Sequence, residues 1–224
     1  MPSKPRAVKR RRRHYRSEIR AEGAAETRLR ILEAARALFV TRGYAAMTMQ
    51  NIADDAEVAL DTVYETVGRK PELVKLLVEV AISNTDREVP AEQRAYVQRI
   101  HAATSARDKL AIYANAVADI HQRLAPLVKA LESAAQAHPD LGAIWREIAE
   151  RRAQNMKKFA AELVATGDVR AELDVAGIAD VLWAMTAPEM YSLLVDQRGW
   201  SQAELEAWLV DALARVLLRT RGDR

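Results

Sequence analysis

The chain has 224 residues, half of them apolar and 29% charged, which suits a folded globular protein of one sizeable domain or a small module joined to a larger one. It contains no cysteine, which excludes a disulfide framework, a thiolate zinc site and a cysteine nucleophile. Its net charge of +3 hides an asymmetry: residues 1–20 carry nine Lys/Arg against Glu18 alone, a net of +8, which leaves −5 on the remainder. No apolar run approaches the roughly 18 residues of a membrane span, and the basic N-terminus lacks the apolar core of a secretory signal. A cytoplasmic protein with no membrane association is expected.

From about residue 26 onward apolar residues recur at helical spacing, with only eight glycines and seven prolines in the chain, so an all-α protein is expected. The first helix is predicted over 27–42, with Leu32, Ala35, Leu38 and Phe39 as its stripe and Gly43 in the αL position beyond its end. Thr48 is placed to cap a short helix at 49–55, and a second short helix follows at 59–67, closed by Gly68. A fourth helix, with Pro71 in its first turn and Leu73, Leu76, Leu77 and Val80 on one face, runs to about 86. A short segment at 91–102 precedes a helix opened by Ser105 and Asp108 and running to about 136, with a kink or break expected at Pro126. A long helix at 140–165 ends at Gly167, and another at 174–197 is interrupted near Pro188 and closed by Gly199. Ser201 and Glu204 form a capping-box signature that opens the last helix, at 202–219.

Two segments carry functional information. In Thr48–Lys70 two short helices are separated by a three- or four-residue turn, which fits a helix-turn-helix. Ile52, Ala53, Ala56, Val58, Val63 and Val67 supply its inward contacts, and Thr62, Tyr64, Thr66 and Lys70 remain on the outer side, where hydroxyl groups and an ammonium can bond phosphate oxygens. The run Thr27 to about Val80 resembles the N-terminal domain of the TetR family of bacterial transcriptional regulators. The matching features are the face from Ile31 to Phe39, Arg42-Gly43-Tyr44, Thr48 before Ile52-Ala53, Thr62-Val63-Tyr64, and Lys70 followed by Leu73.

The basic tail reads as an arm over 1–25, and the resemblance implies a DNA-binding domain over 26–72 and a larger helical effector-binding and dimerisation domain over 73–224. It implies that the second helix of the motif enters the major groove of a palindromic operator. Thr48, Tyr64 and Lys70 then fall at phosphate-contacting positions, and Gln50 and Thr62 face the DNA. Leu60, Asp61, Glu65 and Thr66 fall where the variable base-reading residues lie. The chain departs from the family at Glu57, where the turn usually has glycine, and at Ala59, where the third helix usually opens with Ser or Thr. A non-glycine residue in αL geometry costs about 1 kcal/mol or more, and Asp61 in the first turn offsets part of the missing cap through the helix dipole. The motif is acidic, with Asp54, Asp55, Glu57, Asp61 and Glu65, so the basic arm is expected to compensate. Arg10, Arg11, Arg12 and Arg13 suit phosphates or a narrow minor groove.

The second informative segment is the C-terminal helix, whose Leu205, Trp208, Leu209, Ala212, Leu213, Val216 and Leu217 form a continuous apolar stripe. Core burial explains such a stripe as readily as a partner does; the resemblance implies a homodimer interface built from the last two helices. It also implies a small-molecule pocket among the middle helices. Tyr113, Val117, His121 and Trp145 are candidate lining residues there, as are Met156, Trp183, Met185 and Tyr191, with a small apolar effector as the occupant.

No catalytic constellation or metal-ligand spacing stands out, and no cofactor is implied: the four histidines are scattered, and glycine-rich phosphate loops are missing. Glu147 and Glu150 beside Arg146, Arg151 and Arg152 read as a solvated helix face. The sequence therefore reads as a dimeric, non-enzymatic DNA-binding regulator, a repressor released by a small molecule. The alternative is a helical nucleic-acid binder of low sequence specificity driven by the basic arm.

Overall fold

The computed structural model describes the backbone of residues 6–219 and the side chains of residues 22–219. Ten α-helices are formed among the described residues: α1 (Arg6–Ala46), α2 (Met49–Asp55), α3 (Leu60–Val67), α4 (Lys70–Ser83), α5 (Ala95–Ala102), α6 (Ala106–Ala135), α7 (Pro139–Ala165), α8 (Val175–Met185), α9 (Pro188–Tyr191) and α10 (Gln202–Leu217). The protein is all-α, and the extended backbone among the described residues pairs only at one bridge, Val169 with Leu218. The chain divides into two compact units between Leu77 and Val78, inside α4.

In the first unit α1 begins at Arg6, well before the expected start at 27. Residues 6–26 are mostly Ala, Arg, Glu and Lys, which favour the helix, and only Gly23 weakens the run. The side chains of Arg10–Arg13 lie outside the described residues. Gly43, at φ 76 and ψ 173, breaks the helical geometry near the end of α1; its φ is positive as expected, but its ψ lies outside the αL region. Ile31, Leu32, Ala35, Leu38 and Phe39 bury one face of α1. They share the core of this unit with Ile52, Ala53 and Ala56 of the α2 end and with Val63 and Val67 of α3. Val58 is half-buried. On the α4 segment within this unit Leu73, Val74 and Leu77 are buried, and Leu76 is half-buried.

The α2–α3 turn is held in a strained conformation. Glu57 has φ 54, the left-handed region that a Cβ disfavours by about 1–2 kcal/mol. Glu57→Gly should therefore stabilise the chain by about 1 kcal/mol, after allowing for the greater freedom of glycine in the unfolded chain. Denaturant unfolding of the two chains checks this; an unchanged or lower midpoint in the variant would show that the turn carries no such strain. The α3–α4 turn needs its glycine more strictly. Gly68 has φ 75, and a Cβ there would stand 2.3 Å from Glu72 Oε2. That same oxygen accepts from the Arg69 backbone N–H at 2.7 Å and caps α4.

In the second unit α6 and α7 are the long elements, and α8, α9 and α10 pack with them around a core that includes Leu110, Leu163, Ile178, Leu182 and Leu213. Helix α6 is continuous through Pro126, so the expected interruption is not a break. The missing hydrogen bond and ring clash cost about 3 kcal/mol. Leu124, Leu127, Val128 and Leu131 flank it and are all buried; each such side chain contributes about 1.5–3 kcal/mol, so burial outweighs the break. Ser105, Asp174 and Ser201 cap α6, α8 and α10 through side-chain oxygens, and Ser201 with Glu204 forms the full reciprocal box. Between α9 and Gly199 the chain makes a π-helical turn, Ser192–Gln197. The end of α10 is tied to the α7–α8 connection by Arg170 N–H to Leu217 O and Arg219 N–H to Asp168 O, both 3.0 Å.

Candidate nucleic-acid interface and effector cavity

The helix-turn-helix is positioned by α1. Arg28 Nη1 donates to Thr66 O at 2.6 Å and Arg30 Nη1 donates to Ala56 O at 3.1 Å. Each arginine thus meets the carbonyl-rich C-terminal end of one helix of the motif, where a cation is favoured. Neither residue stands out in the sequence, because nothing in their spacing reveals which carbonyl they reach.

Thr48 Oγ1 accepts from Asn51 N–H at 3.0 Å and so caps α2. Ala59 makes no side-chain cap for α3, and Asp61 stands in that helix's first turn. Val63 and Val67 face inward on α3, which leaves Asp61, Tyr64 and Glu65 exposed and Leu60, Thr62 and Thr66 half-buried. Tyr64, at 46% exposure, is one of the few large apolar-bodied side chains left in solvent. Gln50 is exposed and donates to Asp54 Oδ1 at 2.7 Å. Thr66 donates its hydroxyl to Thr62 O at 2.6 Å, so only its methyl and its oxygen lone pairs remain to face a partner. Lys70 Nζ lies 4.0 Å from the centre of the Tyr44 ring, and partial burial pulls its pKa below the usual lysine value. Asp54, Asp55, Glu57, Asp61 and Glu65 are all exposed, and none forms an ion pair with a described residue.

The second unit encloses a cavity of about 430 Å³, within the range of small-molecule sites. Tyr113, Val117, His121, Trp145, Met156 and Trp183 line it, six of the residues the sequence singled out. Two others do not. Met185 packs against the core, and Tyr191 is buried edge-on to His121 with ring centres 6.3 Å apart. The polar wall was not foreseen. Arg151 and Arg152, read from the sequence as solvated, both line the cavity, with Arg94, Asn155, Thr186 and Glu189. Glu79, 1% exposed, pairs with Arg151 and stands 3.9 Å from Arg94. Tyr113 is buried, its hydroxyl 3.2 Å from Thr186 Oγ1, and burial raises its pKa to about 12, so it stays neutral. Burial, helped by the nearby charge of Arg152, pushes His121 down to about 3, so its imidazole is neutral at physiological pH.

The stripe on α10 divides. Leu205, Leu209, Leu213 and Leu217 are buried in the chain's own core, so these four of the expected interface residues face inward. The neighbouring row, Trp208, Ala212 and Val216, is half-buried or exposed, with Val216 at 41%. A stripe of two adjacent i, i+4 rows is wide enough to serve a core on one side and an outer face on the other. Among the described residues no group of acidic or histidine side chains is arranged to hold a metal ion, and no helix is long and apolar enough to cross a membrane.

Residues 31–76 match the model of the bacterial regulatory proteins, tetR family. No curated protein matches the chain in sequence. Solved structures share its fold. A Rhodococcus sp. protein assigned to the TetR-family transcriptional regulators is 18% identical, with a TM-score of 0.65 over 87% of this chain and 99% of that one. The transcriptional regulator FadR from Bacillus subtilis, in complex with stearoyl-CoA, is 19% identical, with a TM-score of 0.64 over 83% of this chain and 96% of that one. SmeT in complex with triclosan is 17% identical, with a TM-score of 0.67 over 87% of this chain and 93% of that one. Residues 31–76 thus match the tetR-family model of bacterial regulatory proteins, and the whole chain shares the fold of these solved regulators.

Proposed function

We propose that the protein is a homodimeric repressor that binds a palindromic DNA operator in the cytoplasm and is released from it by a small molecule. The observation that carries this reading is the helix-turn-helix itself: α3 leaves Asp61, Tyr64 and Glu65 exposed, and the family match covers the motif. Tyr64 and Lys70 contact phosphates, the ammonium of Lys70 being steered by the Tyr44 ring. Asp61 and Glu65 read bases as acceptors, which suits the amino group of cytosine in the major groove. Trp208, Ala212 and Val216 form part of the dimer contact, whose two-fold symmetry matches a palindrome.

The cavity accepts the effector. FadR and SmeT were solved with stearoyl-CoA and triclosan, so this fold holds small molecules in those proteins. Helix α4 opens with Lys70 and lends Val78 and Ile82 to the cavity wall, so one helix carries residues of both functions. Release follows population shift, the effector binding the form whose reading heads are misplaced for the operator.

The test compares variants on a bound duplex and on mismatched duplexes. Tyr64→Phe and Lys70→Ala should weaken binding to all of them about equally. Glu65→Ala should change preference at particular positions, by about 1–3 kcal/mol for each base pair that the carboxylate reads. Unchanged affinity in the first two variants would remove the assigned phosphate contacts.

A further inference from the structure

The cavity wall holds one cation that the fold leaves partly unsatisfied. Arg152 uses a single nitrogen, Nη2, to donate to Trp183 O at 2.6 Å and Thr186 O at 2.9 Å. Its guanidinium carbon lies 4.1 Å from the centre of the Trp183 ring, which fixes the plane of the group. Nε and Nη1 donate to no described residue, and neither is sealed from solvent, since Glu79 Oε2 is the one fully buried side-chain nitrogen or oxygen among the described residues without a hydrogen-bond partner.

The other charges on the wall are accounted for. Arg94 and Arg151 both face Glu79, and Arg151 Nη1 also lies 3.8 Å from Glu88 Oε1. Glu189 is exposed and lies beyond ion-pair distance of Arg152. Of the three arginines on the wall, Arg152 is the one that forms no ion pair with a described residue. A half-buried guanidinium with unengaged N–H donors favours an anion, above all a carboxylate. Around it the cavity is apolar, with Val117, Leu124, Val128, Trp145 and Ile148 on the wall.

We propose that the cavity binds an amphiphilic monocarboxylate, its carboxylate on the N–H groups of Arg152 left free by the backbone carbonyls and its apolar body among the aliphatic and tryptophan side chains. This rests on the reading of the cavity as an effector site and names the class of effector. A cationic ligand is disfavoured beside the Arg152 guanidinium, which also covers the Trp183 ring.

The test uses the full chain and three probes of one length: decanoate, 1-decanol and decylammonium, each below its micellar concentration and followed by tryptophan fluorescence and calorimetry. Decanoate should bind at least tenfold more tightly than decanol, with decylammonium weakest. Arg152→Met should bring decanoate to the level of decanol while decanol affinity stays within about twofold, and Arg152→Lys should keep a reduced preference for the acid. Thermal unfolding of each variant shows that it is folded, and the decanol arm shows that the cavity survives. Equal binding of decanoate and decanol to the natural chain, no decanoate binding up to millimolar concentration, or a preference that persists in Arg152→Met would each overturn the proposal. These results leave the regulator reading untouched, because duplex binding by the unliganded chain is measured separately and fails or holds by itself.

Discussion

A chain that begins near Ala21 should bind duplex DNA at least a hundredfold more weakly than the full chain in about 0.1 M salt, and its affinity should depend less steeply on salt. Residues 1–20 carry a net charge of +8, and the rest of the chain carries −5. The helix-turn-helix adds to the imbalance, because five exposed carboxylates stand on or beside it. Each phosphate neutralised releases counterions and contributes about 0.9 to the slope of log affinity against log salt. If the four consecutive arginines Arg10–Arg13 alone meet phosphates, removing them should flatten the slope by about 3.6. The preferred sequence and the oligomeric state should persist, since phosphate contacts carry no base information. Affinity and slope measured by anisotropy for the two chains decide the matter. An unchanged slope would mean that the basic segment is not in contact with DNA.

Acidification should cost the second unit much of its stability through one residue. His121 has an ordinary pKa of 6.5 and is held at about 3 in the folded chain, first by burial and then by the charge of Arg152. Between these values the unfolded chain binds a proton that the folded chain refuses. The stability that neutral His121 permits is therefore fully present above pH 6.5 and is lost as the pH falls toward 3. The loss is about 1.4 kcal/mol for each pH unit across this window. His121→Phe keeps a ring of similar size against Tyr191 and removes the proton site. Urea unfolding of both chains from pH 7 to 4 should give a difference in stability that shifts in favour of the variant as the pH drops. Parallel curves would show that His121 is not sealed in the way its burial implies.

Local chemistry made much of the first unit legible. Thr48 caps α2, Gly43 and Gly68 take positive φ, and Glu57 takes the left-handed turn that the missing glycine implied. Each of these follows from one or two residues and their backbone preferences, which is what a sequence states directly. Features set by tertiary contact were harder. The apolar stripe of α10 gave the width of the apolar surface but not its division between Leu205, Leu209, Leu213 and Leu217, which are buried, and Val216, which is exposed. Arg151 and Arg152 follow the same helical period as a solvated pair. What draws them inward is Glu79, far away in sequence, and the carbonyls of Trp183 and Thr186 at the end of α8. Tyr113, His121 and Trp145 line the cavity, whereas Met185 and Tyr191, of similar chemistry, pack against or within the core. Pro126 failed as a break because the buried leucines around it outweigh one missing hydrogen bond.

On the function proposed above, a two-fold pair of α3 helices recognises a particular DNA sequence. Selection of bound duplexes from a random pool by the full chain tests it most directly. The expected result is a palindrome whose half-sites lie about one helical turn apart or somewhat more. Retention of duplexes without a common sequence would contradict the claim, and would mean that the basic N-terminal segment binds nucleic acid with little regard to sequence.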